Sequence, residues 1–198
     1  SPLLGFVVGF LVILILLKIF HKMRPEKMNN LFRKMQIVSS GFLAFSHGSN
    51  DAQKTMGIIT LSLMTYGVIQ DTSFHIPIWV ICACAATLSL GTMTGGWKII
   101  RTMSSKVIKM KPIHGFSVET ASASIILTAS HFGFPVSTTH IISTAIMGVG
   151  SMVKASAVKW GIVKNIVVAW VCTIPVCMLL SAGFYFMLMN TPLANGGG

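Results

Sequence analysis

Acidic residues are nearly absent: the 198 residues include only 4 Asp or Glu, and charged residues of both signs make up 10% of the chain. A soluble domain carries about 25%. That deficit, with 53% hydrophobic residues and a mean hydropathy of +0.77, makes a bilayer the natural solvent. Cysteine is sparse too, with 4 residues, placed as Cys82 and Cys84 in one apolar span and Cys172 and Cys177 in another. Neither span contains histidine, and a two-residue offset turns side chains to different sides of a helix, so neither pair reads as a zinc site. The thiols are expected to be reduced packing residues. The first apolar run, residues 3–17, has no basic stretch before it, and Lys18, Lys22 and Arg24 follow it. A secretory leader has the opposite order, and residues 3–20 reach the roughly 20 needed to span a hydrocarbon core.

Positive charge is what the sequence has in excess, with a formal net charge of +11. It is concentrated in residues 21–34, 98–111 and 154–164, whereas residues 70–76 contain no Lys or Arg and include Asp71. The positive-inside rule places the three basic loops in the cytoplasm, as in a multi-pass protein of the cell membrane. A nucleic-acid platform would need interleaved aromatics and an aqueous fold, and neither is visible. No nucleic-acid partner is expected; the lipid bilayer is.

Charge topology then sets the order of crossings. Residues 35–69 must cross an odd number of times, yet about 35 residues of continuous helix would run over 50 Å, far beyond a core of ~30 Å. The cluster Ser46-His47-Gly48-Ser49-Asn50-Asp51, between apolar legs 37–45 and 52–69, predicts a broken helix there. Residues 76–96 form an ordinary span. Residues 114–153 lie between two basic loops, so they must enter and leave on one side, turning at 132–140. Legs of about 20 residues suit either a full or a re-entrant helical hairpin, and the polar turn favours the re-entrant form. Residues 166–188 make a last span. The fold class is therefore an all-α integral membrane helix bundle, with residues 1–190 as one transmembrane domain and 191–198 as a flexible tail.

Chemistry concentrates where polar groups interrupt apolar stretches. Asp51 and Glu119 are ionisable residues inside such stretches, which by default marks an ion path or a paired structural charge. Asp51 follows Asn50, and a carboxylate, an amide oxygen and free helix carbonyls are the hard oxygens that a small cation such as sodium prefers. The plainer role for Asp51 is to cap a helix beginning at Ala52. Ser137, Thr138 and Thr139 follow Pro135 just ahead of a helix start and could either bind an anion or satisfy helix ends. Lys54, three residues past Asp51, can pair with it, stand in a cation site, offset substrate charge or snorkel. His47 and His140 are either proton carriers or neutral hydrogen-bonding groups. The 13 methionines and 12 phenylalanines are expected to pack against lipid and neighbouring helices. Gly91, Gly95 and Gly96 are expected to permit close helix approach. The segment around Leu31, Phe32 and Met35, flanked by Lys27, Arg33 and Lys34, fits either an anionic membrane face or a solvated basic loop.

Three stretches together carry a resemblance. They are Ser46-His47-Gly48-Ser49-Asn50-Asp51-Ala52-Gln53-Lys54-Thr55-Met56-Gly57, Gly115-Phe116-Ser117-Val118-Glu119-Thr120-Ala121-Ser122-Ala123, and Gly133-Phe134-Pro135-Val136-Ser137-Thr138-Thr139-His140. In order and spacing they closely resemble the C-terminal half of the Pit-type inorganic phosphate transporters, over residues 1–189. The resemblance implies one half of an inverted-repeat secondary transporter, not an enzyme, that moves phosphate with sodium or protons and needs no other cofactor. It implies that Asn50 and Asp51 hold the coupling ion and approach the substrate, that Ser137, Thr138 and Thr139 hold phosphate oxygens, and that Glu119 serves a second ion site or a gate. The partner would be the N-terminal half of the same transporter or a second copy, with a homodimer as a further expectation. The sequence departs from the commoner Gly-Ala-Asn-Asp-Val-Ala-Asn form at Ser49 and at Gln53-Lys54. Two rival functions use the same residues: an intramembrane hydrolase with Ser137 as nucleophile, His140 as base and Asp51 as orienter, and a phosphate sensor that binds without transport.

Overall fold

The computed structural model describes residues 1–69, 75–101, 107 and 110–190, all helix or connecting turn. Asp71 in the expected outer connection, Lys106 in the second basic loop and the 191–198 tail lie outside them. The helices are α1 (Pro2–Ile19), α2 (Pro25–Thr65), α3 (Ile78–Arg101), α4 (Pro112–His131), α5 (Thr138–Lys154) and α6 (Trp160–Met189), with a single 3-10 turn at Ala155–Ala157 between the last two. The chain divides into two compact units, Ser1–Val158 and Lys159–Gly198. Among the described residues three helices are long and apolar enough to cross a membrane: α1, residues 78–97 of α3, and α6. Helix α6 carries Pro175 in its interior and buries only Val163 among its described side chains.

In the first unit α1 and α2 pack on the α4–α5 pair, and α3 packs on α2. The tightest approach is between α1 and α5. Gly5, Gly9 and Ile13 are the buried residues of α1, one per turn along a single stripe. A Cβ at Gly148 would run into the carbonyl oxygen of Phe6, and one at Gly9 would stand 2.9 Å from Ala145 Cα. Small residues four apart let helix backbones meet in this way. The glycines expected to do this, Gly91, Gly95 and Gly96, do not: a Cβ at Gly91 or Gly95 meets nothing within 4 Å, and at Gly96 only a side-chain atom of Thr92 in its own helix.

Helix α2 corrects the expected break. It runs 41 residues without interruption through Ser46-His47-Gly48-Ser49-Asn50-Asp51, about 60 Å at 1.5 Å per residue. The turn-forming residues stay helical because their polar groups find partners that do not break the ladder. The Ser46 hydroxyl donates back to the Phe42 carbonyl at 2.7 Å, and Asn50 and Asp51 reach across to another element. Buried Phe32, Ser39, Ser46 and Asn50 lie on one face at spacings of seven and four, and Met56 turns to a cluster with Val80 and Cys84 of α3. Phe32 is fully buried, edge-on to Phe20 at 5.2 Å and tilted against Phe116 at 5.3 Å. That face is thus turned into the bundle, while Leu31 and Met35 are exposed.

The two helix stops that shape the unit share one chemistry. Helix α2 ends at Gly67 with φ +73°, and α4 ends at Gly133 with φ +71°. Gly133 N–H donates to Ser130 O and Phe134 N–H to Ala129 O, the paired bonds of a left-handed glycine stop. This turn, where the sequence predicts one, folds α5 back along α4. All four cysteines are free thiols, but only Cys84 is buried, in a cluster with Ala52, Met56 and Val80; Cys82, Cys172 and Cys177 are exposed.

Because overpacking a tight crossing costs about 1–3 kcal/mol, Gly148→Ala should lower the unfolding temperature of the detergent-solubilised protein by several degrees. Gly91→Ala, in open space, should leave it equal or slightly higher. Equal shifts for the two variants would dissolve the claimed α1–α5 interlock.

Candidate functional site

Two elements that sequence separates by some eighty residues meet at one point. Helix α2 contributes His47, Asn50, Asp51 and Lys54; 47, 51 and 54 follow four- and three-residue steps and so form one stripe. The turn between α4 and α5 contributes the rest. After Gly133 the chain extends through Pro135 and Val136, and Ser137, with φ −90° and ψ 108°, caps α5 by accepting the His140 N–H. Proline keeps the chain extended ahead of the cap, so the start of α5 faces α2.

Asp51 is the hub. Its Oδ2 accepts the Thr138 hydroxyl at 3.0 Å and lies 2.9 Å from His47 Nε2; its Oδ1 accepts Lys54 Nζ at 3.2 Å and Asn50 Nδ2 at 3.3 Å. The Val136 carbonyl takes Lys54 Nζ at 2.6 Å and Asn50 Nδ2 at 3.4 Å. Asn50 Oδ1 accepts from the Ser130 hydroxyl at 3.3 Å. Ser137 N–H donates to the Ser1 hydroxyl at 3.2 Å. An open cleft of about 400 Å³ lies over this junction, lined by Asp51, Lys54 and residues 135–139. Asn50 and Thr138 are buried beside it, and Thr139 is exposed.

The structure therefore brings Asn50, Asp51, Lys54, His47, Ser137, Thr138 and Thr139 together. Glu119 is elsewhere. Its carboxylate accepts from Gln36 Nε2 at 3.1 Å and from the Ser39 hydroxyl. Ser39 precedes Asp51 by twelve residues on the same helix, about 18 Å of rise. The three expected phosphate hydroxyls also differ in state: Thr138 donates to Asp51, Ser137 caps its helix, and Thr139 lines the cleft. Among the described residues no cluster of three or more His, Cys, Asp or Glu could hold a metal. The cation-ligating oxygens present are those of Asp51, Asn50 and Val136, and the Lys54 ammonium stands on two of them. Sequence reasoning missed the Val136 carbonyl and the Ser130 hydroxyl, since neither residue type signals a site by itself. Gln36 and Ser39 were legible in principle, as polar residues three apart on one helix face.

Comparison with known proteins places this geometry. The sequence profile of the phosphate transporter family matches residues 20–181. A Rhizobium meliloti protein described as "Probable low-affinity inorganic phosphate transporter" is 46% identical over 94% of this chain and 55% of its own length. A Bacillus subtilis protein of the same description is 43% identical over 95% of this chain and 56% of its own. A solved structure, "The sodium-dependent phosphate transporter", superposes with a TM-score of 0.71 at 32% identity, over 81% of this chain and 40% of that one. The chain thus spans about half the length of the curated relatives it matches. On the family match and the shared fold, this chain belongs to the phosphate transporter family.

Proposed function

We propose that the chain forms one inverted half of a secondary transporter that carries inorganic phosphate across the cell membrane, driven by a sodium or proton gradient. The observation that carries the reading is the Asp51 junction: a carboxylate on α2 meets a hydroxyl-rich helix start across an open cleft. A phosphate there would meet the Thr138 and Thr139 amides at the start of α5, which have no acceptor within their own helix, whereas the His140 amide is taken by Ser137. Thr139 and Ser137 present hydroxyls at the same edge, and Thr138 can transfer its donor from Asp51 to the anion. Lys54 stands between the carboxylate and the cleft and offsets their mutual repulsion.

These groups approach the anion from one side only. Phosphate has four oxygens to satisfy, so a second, inverted half, from the same transporter or another copy, completes the shell. The hairpin of α4 and α5 enters from the basic, cytoplasmic face and returns to it as a re-entrant element, because Lys111 begins α4 and Lys154 ends α5. Glu119, tied to Gln36 and Ser39, holds α4 against α2 away from the substrate and is a gate position rather than a ligand. A hydrolase is poorly supported: Ser137 accepts its own helix's amide, and Asp51 is bound by Thr138, Lys54, Asn50 and His47.

In sealed vesicles bearing the full-length protein, Asp51→Asn should reduce gradient-driven phosphate uptake at least about tenfold while the protein still inserts. Thr139→Val keeps the shape, removes one donor to a charged group and should weaken phosphate affinity by roughly 10-fold. Normal uptake and affinity in both variants would reduce the junction to a structural tie, and binding without uptake in the wild type would make the protein a sensor. Sidedness has its own test. With cysteines placed at positions 111 and 154 on a thiol-free background, both should react with an impermeant reagent from the cytoplasmic face; reaction from opposite faces would exclude a hairpin that returns.

A further inference from the structure

We infer that the Lys54 ammonium is a tethered counter-cation filling the position a sodium ion would take between Asp51 and the hairpin turn, so that this half binds its anion without sodium at that site. The inference rests on the phosphate-transport reading and deepens it by naming what sets the ion requirement of this half.

The contacts are those of a cation in an oxygen site. Lys54 Nζ reaches Asp51 Oδ1 at 3.2 Å and Val136 O at 2.6 Å, so it joins the carboxylate on α2 to the carbonyl of the turn. Hard carboxylate and carbonyl oxygens are the donor set for a small cation, and the ammonium has displaced any need for one. Asn50 supports the same view. Its amide nitrogen faces the two oxygens that Lys54 uses, while its oxygen turns away to the Ser130 hydroxyl. An amide ligating an ion at that point would present its oxygen instead. Charge is already balanced as well. Asp51 has the ammonium on one oxygen and the Thr138 hydroxyl and His47 ring on the other. A sodium ion added to this arrangement would sit against a fixed like charge.

A strut is not a sufficient account of Lys54. Its side chain is 41% exposed, and ion pairs that open to solvent add little to stability. What the position does supply is positive charge at the cleft. An ammonium carries three N–H donors; Asp51 and Val136 occupy two directions, and the residue lines the cleft beside Ser137 and Thr139. The third donor is left for an anion that enters. The same group thus neutralises Asp51 and meets the substrate, a task that otherwise falls to a bound and then released ion.

The test uses the full-length protein with sodium varied against choline. Lys54→Asn and Lys54→Ala remove the ammonium, and Asn also supplies an amide oxygen. Without phosphate, sodium should raise the unfolding temperature of the Asn variant by more than it raises that of the wild type. With phosphate, both variants should bind about tenfold more weakly in the absence of sodium, and sodium should restore affinity in the Asn variant with a Hill slope one unit above the wild type. Sodium titrations of both variants that superimpose on the wild type in both readouts would overturn the inference, whether or not uptake survives. Should the Asn variant not fold, Lys54→Gln carries the same amide and the same expectation. If the wild type takes up no phosphate at all, the transport reading fails, and the melting titration still decides the role of Lys54.

Discussion

The carboxylate of Asp51 is the interaction on which this unit's organisation turns. It is the point where a helix and a hairpin turn some eighty residues later are joined through Thr138 and, by way of Lys54, through Val136. Without it the polar face of α2 would lie against an apolar environment with its donors unmatched, an arrangement that a membrane penalises more than water does. With it, the polar groups at the junction have partners: Asn50 on the turn, Ser130 on Asn50, and Thr138 on the carboxylate. The site is a consequence of satisfying those groups, since the residues that satisfy them also line the cleft.

Much of this was legible because membrane sequences leave few alternatives for a polar side chain. Asp51 and Glu119 are conspicuous in a chain with only 4 acids, and the Gly133-to-Thr138 turn carries its stop and its cap in the residue types themselves. What failed was the step from turn-forming residues to a broken helix. Ser46, Gly48, Ser49 and Asn50 have low helical preference, but preference is a weak term beside side-chain hydrogen bonds, and here Ser46 bonds back along its own helix and Asn50 across to Ser130 without leaving the helix. The length argument counted residues 35–69 and required a break within them, whereas the helix runs unbroken from Pro25 to Thr65.

Glycine shows the same limit of one-dimensional reading. Gly91, Gly95 and Gly96 have the spacing of a close helix contact, yet open space surrounds Gly91 and Gly95. Gly5 and Gly9 have it as well and are the ones used, because α5 brings Ile141 and Thr144 against Gly5 and Ala145 against Gly9, and its own Gly148 admits the backbone of Phe6 and Phe10. Spacing announces that a helix can be approached; only the partner's own small residues determine that it is. Glu119 makes the complementary point. Its position within an apolar stretch is plain from sequence, but its partners, Gln36 and Ser39, lie about 22 and 18 Å of helix rise from Asp51, which separates two carboxylates that a linear reading groups together.

The unbroken course of α2 has a mechanical meaning. A helix with a break can take up a shift at its centre by bending, and the two ends then move independently. A continuous helix of 41 residues has no such joint. Displacement of Asp51 must be shared by Ser39 and Gln36, which bind Glu119, and by Phe32, wedged between Phe20 and Phe116. The helix is thus a rigid lever, with the Asp51 carboxylate on one arm, the Glu119 contact as fulcrum and an aromatic stop at the basic end.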